Sequence, residues 1–197
     1  DVMDKLRVEF IDGAKERNVP VNKANDVFDL CYKFAEYGFN KSHSAAYAMI
    51  SFQTAFLKAN YTVEYMASLL SSVVSNSDKT ALCMQECSDL EVKVLPPDVN
   101  ESKHFFTVVS VTTESGDVAK GIRFGLGAIK NVGDGAIASI IEDAPFKDLS
   151  DFCLKVDLKQ CNKRVMESLI KSGAMDSFGE RSYLLAIFET VMEKAQI

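Results

Sequence analysis

Two consecutive prolines, Pro96-Pro97, place the strongest limit on how this chain folds. Neither carries an amide hydrogen, and each pushes the residue before it towards extended backbone, so no helix passes through them. They close a short β-like run, Val92 to Leu95, at which the texture of the sequence changes. Before it, apolar residues recur at helical spacing. After it come strand-like alternation and then short helical pieces.

Upstream, Leu6, Phe10 and Ala14 mark a helix over 3–18 that ends at the Asn18-Val19-Pro20 break. Asn22 is placed to cap a second helix whose apolar stripe is Val27, Leu30, Phe34 and Tyr37. Gly38 is expected to close it in the left-handed conformation. A third helix is expected from about Ser44 to Asn60, with Ala45, Met49, Phe52 and Phe56 on its core face and Ile50 and Leu57 widening the stripe. Thr62 reads as the N-cap of a fourth helix through Met66, Leu69, Leu70 and Val73. A fifth runs from Ser77 to Leu90 and carries Leu82 and Glu86.

Downstream, Phe105–Thr112 and Ala119–Phe124 read as two strands about a Ser115-Gly116-Asp117 turn. Helical periodicity returns over 135–142, 148–155, 162–172 and 181–195. The expected fold is mainly α with a small β connector: a helical block, then short helices that contain a helix-hairpin-helix.

Composition excludes several classes. At 47% hydrophobic and 25% charged residues the 197-residue chain is neither disordered nor fibrous. Its longest apolar runs, of which Ala45 to Ile50 is one, fall far short of the roughly 18 residues of a membrane span, so no membrane partner is expected. No secretory leader is visible, and the start at Asp1 is that expected of a piece of something longer. The net charge of −6 argues against coating nucleic acid by bulk charge, though not against a local basic surface. Five cysteines, at 31, 83, 87, 153 and 161, without a Cys-x-x-Cys pair, suit a reducing compartment, with the cytoplasm as the default. Cys83 and Cys87 share a helix face but lack a second pair for zinc, and buried thiols are expected.

Catalytic machinery is missing. There is no Asp-x-Asp for two divalent ions, and Asp89 and Glu91 flank a helix end. Ser42, His43 and Ser44 are sequence neighbours, which is not how a triad is arranged. Gly125-Leu-Gly127-Ala-Ile-Lys130 has lysine where a dinucleotide fingerprint needs its third glycine. Neither catalytic residues nor metal ligands are expected in this chain.

Two segments carry binding chemistry. Within 37–44, Asn40, Lys41, Ser42, His43 and Ser44 gather hydrogen-bond donors and a point charge at the start of a helix, which suits a phosphate or triphosphate. The same residues would equally make a polar interhelical turn with Ser42 or Ser44 as N-cap. The second is Ile129-Lys130-Asn131-Val132-Gly133-Asp134-Gly135-Ala136, a helix-hairpin-helix pattern whose glycines let backbone N–H groups approach a DNA phosphate. Asp134, where an apolar residue is usual, adds local repulsion. A glycine turn between packed helices is the plainer reading. Further on, Lys155, Lys159, Lys163, Arg164 and Lys171 outnumber Asp157 and Glu167, and Asn162 and Gly173 bracket a helix. That segment is either a degenerate second hairpin unit or a solvated charged face. Arg7, Lys33 and His104 have no distinguishing context.

The run Lys33-Phe-Ala-Glu-Tyr-Gly-Phe-Asn-Lys-Ser-His-Ser-Ala-Ala-Tyr47 resembles the fingers region of the α subunits of bacterial replicative C-family DNA polymerases. The likeness continues through Ser51 to Lys58, Leu95 to Asn100, Phe124 to Gly133 and Asn162 to Ala174, in order and over nearly the whole chain. Thr62, where proline is common in the family, and Asp134 are departures. The resemblance implies a far longer bacterial cytoplasmic parent whose palm holds the metal-binding aspartates and Mg²⁺. It implies that 1–118 belong to the fingers with a β connector near 92–124, that 119–180 form a tandem helix-hairpin-helix, and that 181–197 lead to further domains. Asn40, Lys41, Ser42, His43 and Ser44 would hold the triphosphate of an incoming dNTP. Lys130, Asn131, Val132, Gly133, Gly135, Lys163 and Arg164 would grip template-primer DNA. The sliding clamp and other replisome subunits would be partners of the parent. A self-contained helix-hairpin-helix accessory module and a helical protein-binding scaffold are the competing classes.

Overall fold

The computed structural model describes residues 2–38, 40–113 and 116–195, with 36 and 37 described by backbone alone. The Tyr37 side chain, Phe39 and the Ser115 position of the expected turn therefore lie outside the described residues. The chain forms two compact units, 1–55 and 56–197.

In the first unit, α1 (Val2–Glu16) packs against α2 (Val21–Tyr37). Ala24 and Phe28 are the buried apolar residues of their seam, and Phe10 meets Phe28 with ring centroids 5.6 Å apart. Arg7 crosses from α1 to lie 4.8 Å over the Phe28 ring and donates to Asn25 and Asp29, so it acquires a structural role. The expected α2 stripe is displaced: Val27, Leu30 and Phe34 are exposed. So are the expected core residues Met49 and Phe52 of α3 (Lys41–Asn60), a helix with no buried residue whose exposed Phe56 already belongs to the second unit. Apolar spacing selects a face, but burial requires a second surface, and this unit supplies a single seam.

Several expected helix ends also move. Pro20, not Asn22, occupies the N-cap of α2 without a side-chain cap, and Gly38 has φ −75°, outside the left-handed region. The α4 helix (Thr62–Val73) has Tyr61 at its N-cap, while the Thr62 hydroxyl donates backwards to the Lys58 carbonyl at 2.8 Å. A threonine inside the first turn spends its hydroxyl on the preceding turn and is lost as a cap. Asn76 caps α5 (Ser77–Asp89), accepting from the Lys79 amide.

In the second unit, β1 (Val94–Leu95), β2 (Thr107–Thr112) and β3 (Val118–Arg123) form a mixed sheet in the order β1-β3-β2. Val94 pairs with Ile122 in parallel, and β2 runs antiparallel to β3 from Thr107–Arg123 to Thr112–Val118. Met66, Leu70, Cys87, Phe106 and Ile122 form the core beneath the sheet. A larger core joins α6 (Asp134–Asp143), α7 (Leu149–Lys155), α8 (Lys163–Ser172) and α9 (Arg181–Ala195) through Ile137, Ile140, Phe152, Met166, Leu169 and Leu184. Phe124 packs against both cores.

Between sheet and helices, Ser102 is buried with both hydrogen-bonding roles used. Its hydroxyl donates to the Phe124 carbonyl at 2.7 Å and accepts from the Asp98 amide at 3.0 Å. The Asn100 amide donates to the Phe146 carbonyl at 2.9 Å, and its oxygen accepts the Phe146 N–H at 2.7 Å.

Candidate nucleic-acid interface

The first hairpin is built from less helix than its pattern suggests. A single 3₁₀ turn, Leu126–Ala128, leads through Ile129 to a turn that ends at Gly133, the N-cap of α6. Leu126, Ile129 and Val132 are buried beneath it, while Lys130, Asn131, Gly133, Asp134 and Gly135 are exposed. Val132 is thus an anchor and not a ligand-facing side chain.

The conformational demand of the turn falls on asparagine. Asn131 has φ 70°, whereas Gly133 has φ −89°, which any residue adopts. Asparagine tolerates the left-handed region because its short amide bonds locally. Its Nδ2 donates to the Ser168 hydroxyl on α8 at 3.1 Å, tying the turn to the second hairpin unit. What Gly133 provides is access: a β-carbon there would meet nothing within 4 Å. No side chain caps α6, and Gly133 and Asp134 at its start are exposed.

The second hairpin lies between α7 and α8. Asp157 accepts from the Lys159 amide at 2.9 Å, and the Asp157 amide donates to the Ser139 hydroxyl of α6 at 2.9 Å. Asn162 caps α8, accepting from the Arg164 and Val165 amides at 3.0 and 3.2 Å, and Gly173 ends it at φ 86°. Gln160 reaches back over Gly135: a β-carbon on that glycine would be 2.9 Å from the Gln160 Cδ. The two hairpins are therefore in contact, a juxtaposition that spacing alone could not reveal.

Their cations are not equivalent. Lys163 donates to Glu189 at 2.6 Å and lies 3.7 Å from Glu193, and the Glu189 hydrogen bond raises its pKa. Lys171 is similarly held by Glu167 at 2.6 Å. Arg164 and Lys130 are exposed. His104, which had no context in the sequence, lies with its Nε2 3.8 Å from Asp134 Oδ1.

In the first unit, α3 begins at Lys41, ahead of the expected Ser44. Asn40, not Ser42 or Ser44, takes the capping role: its Oδ1 accepts the Ser42 N–H at 2.9 Å. That oxygen stands where an anion at this helix start would compete for the same amide. His43 packs on Tyr47 with ring centroids 4.3 Å apart. Asn40, Lys41, Ser42, His43 and Ser44 are all exposed.

Among the described residues no group of three or more His, Cys, Asp or Glu side chains is placed to hold a metal ion. No described helix is long and apolar enough to cross a membrane.

Two turns, each opening a helix and joined by the Gln160–Gly135 contact and the Asn131–Ser168 hydrogen bond, define a helix-hairpin-helix element, the first turn with Gly133 and the second without glycine, and the helix-hairpin-helix motif family matches residues 91–184. The chain containing it corresponds to a segment of the bacterial DNA polymerase III alpha subunit. It is 47% identical to "DNA polymerase III subunit alpha" of Thermus aquaticus, over 98% of this chain and 15% of that protein. The same subunit of Deinococcus radiodurans is 45% identical over 98% of this chain and 14% of its own length. That of Bacillus subtilis is 42% identical over the full chain and 17% of its own length. The chain thus spans about one sixth of these relatives or less.

Proposed function

We propose that this segment serves DNA-templated DNA synthesis by holding substrates and not by performing chemistry. The paired hairpins grip the template-primer backbone through the first-turn amides of α6, with Arg164, Lys130 and Lys159 supplying charge. Such contacts carry no sequence preference and weaken with salt. The observation that supports this best is the open, uncapped start of α6 at Gly133, where a β-carbon would touch nothing. A glycine that neither its φ nor its neighbours require is accounted for by a ligand that must come close.

Residues 1–118 belong to the fingers in this reading, 119–180 to the DNA grip, and 181–197 lead onward. Lys41, Ser42, His43 and Ser44 steady the triphosphate of an incoming dNTP, with Asn40 releasing the Ser42 amide as the anion arrives. Mg²⁺, two-metal phosphoryl transfer, the sliding clamp and other replisome contacts belong to the rest of a parent in the bacterial cytoplasm. A self-contained accessory module would not account for a match running over 98% of the chain.

Fluorescence anisotropy with a labelled primer-template duplex, titrated with salt, tests the grip. Gly133→Val is the variant of choice, because the fold has room for it and a bound phosphate would not. Salt-sensitive binding that the folded variant loses supports the proposal; equal binding by the variant places the grip elsewhere.

A further inference from the structure

We propose that His104, carried by a loop outside both hairpins, offsets the charge of Asp134 at the first hairpin and makes its hold on DNA phosphate depend on pH. The inference rests on the duplex-binding reading of that hairpin and extends it to a residue with no place in the motif.

Gly125 and Gly127 explain how His104 arrives. A β-carbon on Gly125 would lie 2.7 Å from the His104 carbonyl oxygen and 2.6 Å from the Phe105 carbonyl carbon, and one on Gly127 would lie 3.0 Å from His104 Nε2. The two glycines that look like the start of a dinucleotide fingerprint instead let a second backbone segment close on the hairpin. Leu126 and Gly127 donate their amides to the Lys103 and His104 carbonyls at 2.9 and 3.0 Å, fixing the loop. The imidazole packs on Phe105 with ring centroids 4.5 Å apart and presents Nε2 to Asp134 Oδ1 at 3.8 Å.

Asp134 is the first residue of α6, and its side chain is 94% exposed. A carboxylate there favours the free helix through the dipole but repels a phosphate seeking the same N–H groups. Protonated His104 turns that local charge from −1 towards zero. Among the ionisable groups around it, Asp134 faces it from α6, Gly125–Gly127 beneath it bring none, its own loop carries Asp98, Glu101 and Lys103, and the hairpin carries Lys130.

The experiment measures duplex affinity by anisotropy from pH 5.5 to 8.5 at constant ionic strength, for the unaltered chain, His104→Gln and Asp134→Asn. Affinity of the unaltered chain should be higher at the acid end of this series than at its alkaline end. One exposed charge pair is worth roughly two- to fivefold. His104→Gln should flatten the profile at the weaker level, and Asp134→Asn should tighten binding at every pH while keeping a slope, since protonation of His104 then takes the local charge from zero towards +1. Circular dichroism of each variant reports folding, and His104→Asn replaces His104→Gln if the latter does not fold. The chain has two histidines, so a slope that persists without His104 points to His43 and overturns the proposal. Absence of salt-sensitive binding at every pH would instead sink the duplex-binding reading, and this inference with it.

Discussion

The Gln160 side chain occupies the space into which a β-carbon on Gly135 would project, so the tips of the two hairpins are keyed together by one amide and one missing methyl group. Alanine replaces glycine inside a helix with a gain of about 1 kcal/mol. At Gly135 that gain must be set against moving Gln160. We expect Gly135→Ala to be close to neutral in the native background and stabilising by about 1 kcal/mol in a Gln160→Ala background. Urea denaturation of the four chains gives the coupling, and additive effects would show that the hairpins do not touch here.

Glu189 restrains Lys163, which the sequence offers as a DNA contact. Glu193 also faces Lys163, so Glu189→Gln combined with Glu193→Gln should free that ammonium and remove nearby negative charge. Duplex affinity is expected to rise and the slope of log affinity against log salt to steepen by about one. An unchanged slope would mean that Lys163 faces away from the duplex.

Phe152 is fully buried and meets Phe146 and Phe178 at 4.6 and 6.5 Å between ring centroids. Phe152→Ala should cost about 3–5 kcal/mol, a large share of the stability of a domain this size. Chemical denaturation followed by circular dichroism measures the loss.

Burial pushes the thiols of Cys87 and Cys153 up to about 11 and that of Cys161 up to about 12, while Cys31 is exposed. The three buried thiols should resist alkylation at neutral pH and react after unfolding, with Cys31 modified first. Each raised folded-state value stabilises the fold below the ordinary thiol value of about 9. That contribution is lost as pH rises towards 11–12. Peptide mapping after timed alkylation identifies the sites, and an alkaline thermal-melting series tests the sign.

On the acid side, the Arg181 guanidinium holds Asp176 below the usual carboxylate range, and the Lys147 amide and then Lys155 do the same for Asp151. Depressed folded-state values stabilise above the unfolded carboxylate value of about 4, and the benefit disappears as pH falls through them. Tm should drop below about pH 4. Asp176→Asn should lower Tm at neutral pH and reduce its fall in acid.

Local chemistry was readable in advance; imported surfaces were not. Asn162 caps and Gly173 terminates α8 as the sequence suggests, since both act on their own helix. Thr62 and Asn22 fail as caps because the chain enters those helices one or more residues earlier. The apolar faces of α2 and α3 were legible, but their burial depends on surfaces the first unit does not contain. Gln160 and His104 reach the hairpins through tertiary contacts, Asn131 takes the strained turn position while the glycines draw the eye, and no periodicity encodes either fact.

The Asn100 side chain imitates a strand partner: one amide offers Phe146 both the acceptor and the donor that a neighbouring backbone would. It staples two points 46 residues apart, with β2, β3, the first hairpin and α6 strung between them. Closing so long a loop costs only about 0.6 kcal/mol more than closing one of half the length. The surface turns of the excursion are thus free to gain or lose residues at little thermodynamic expense, whereas the staple itself has no isosteric substitute: aspartate lacks the donor, and leucine lacks both.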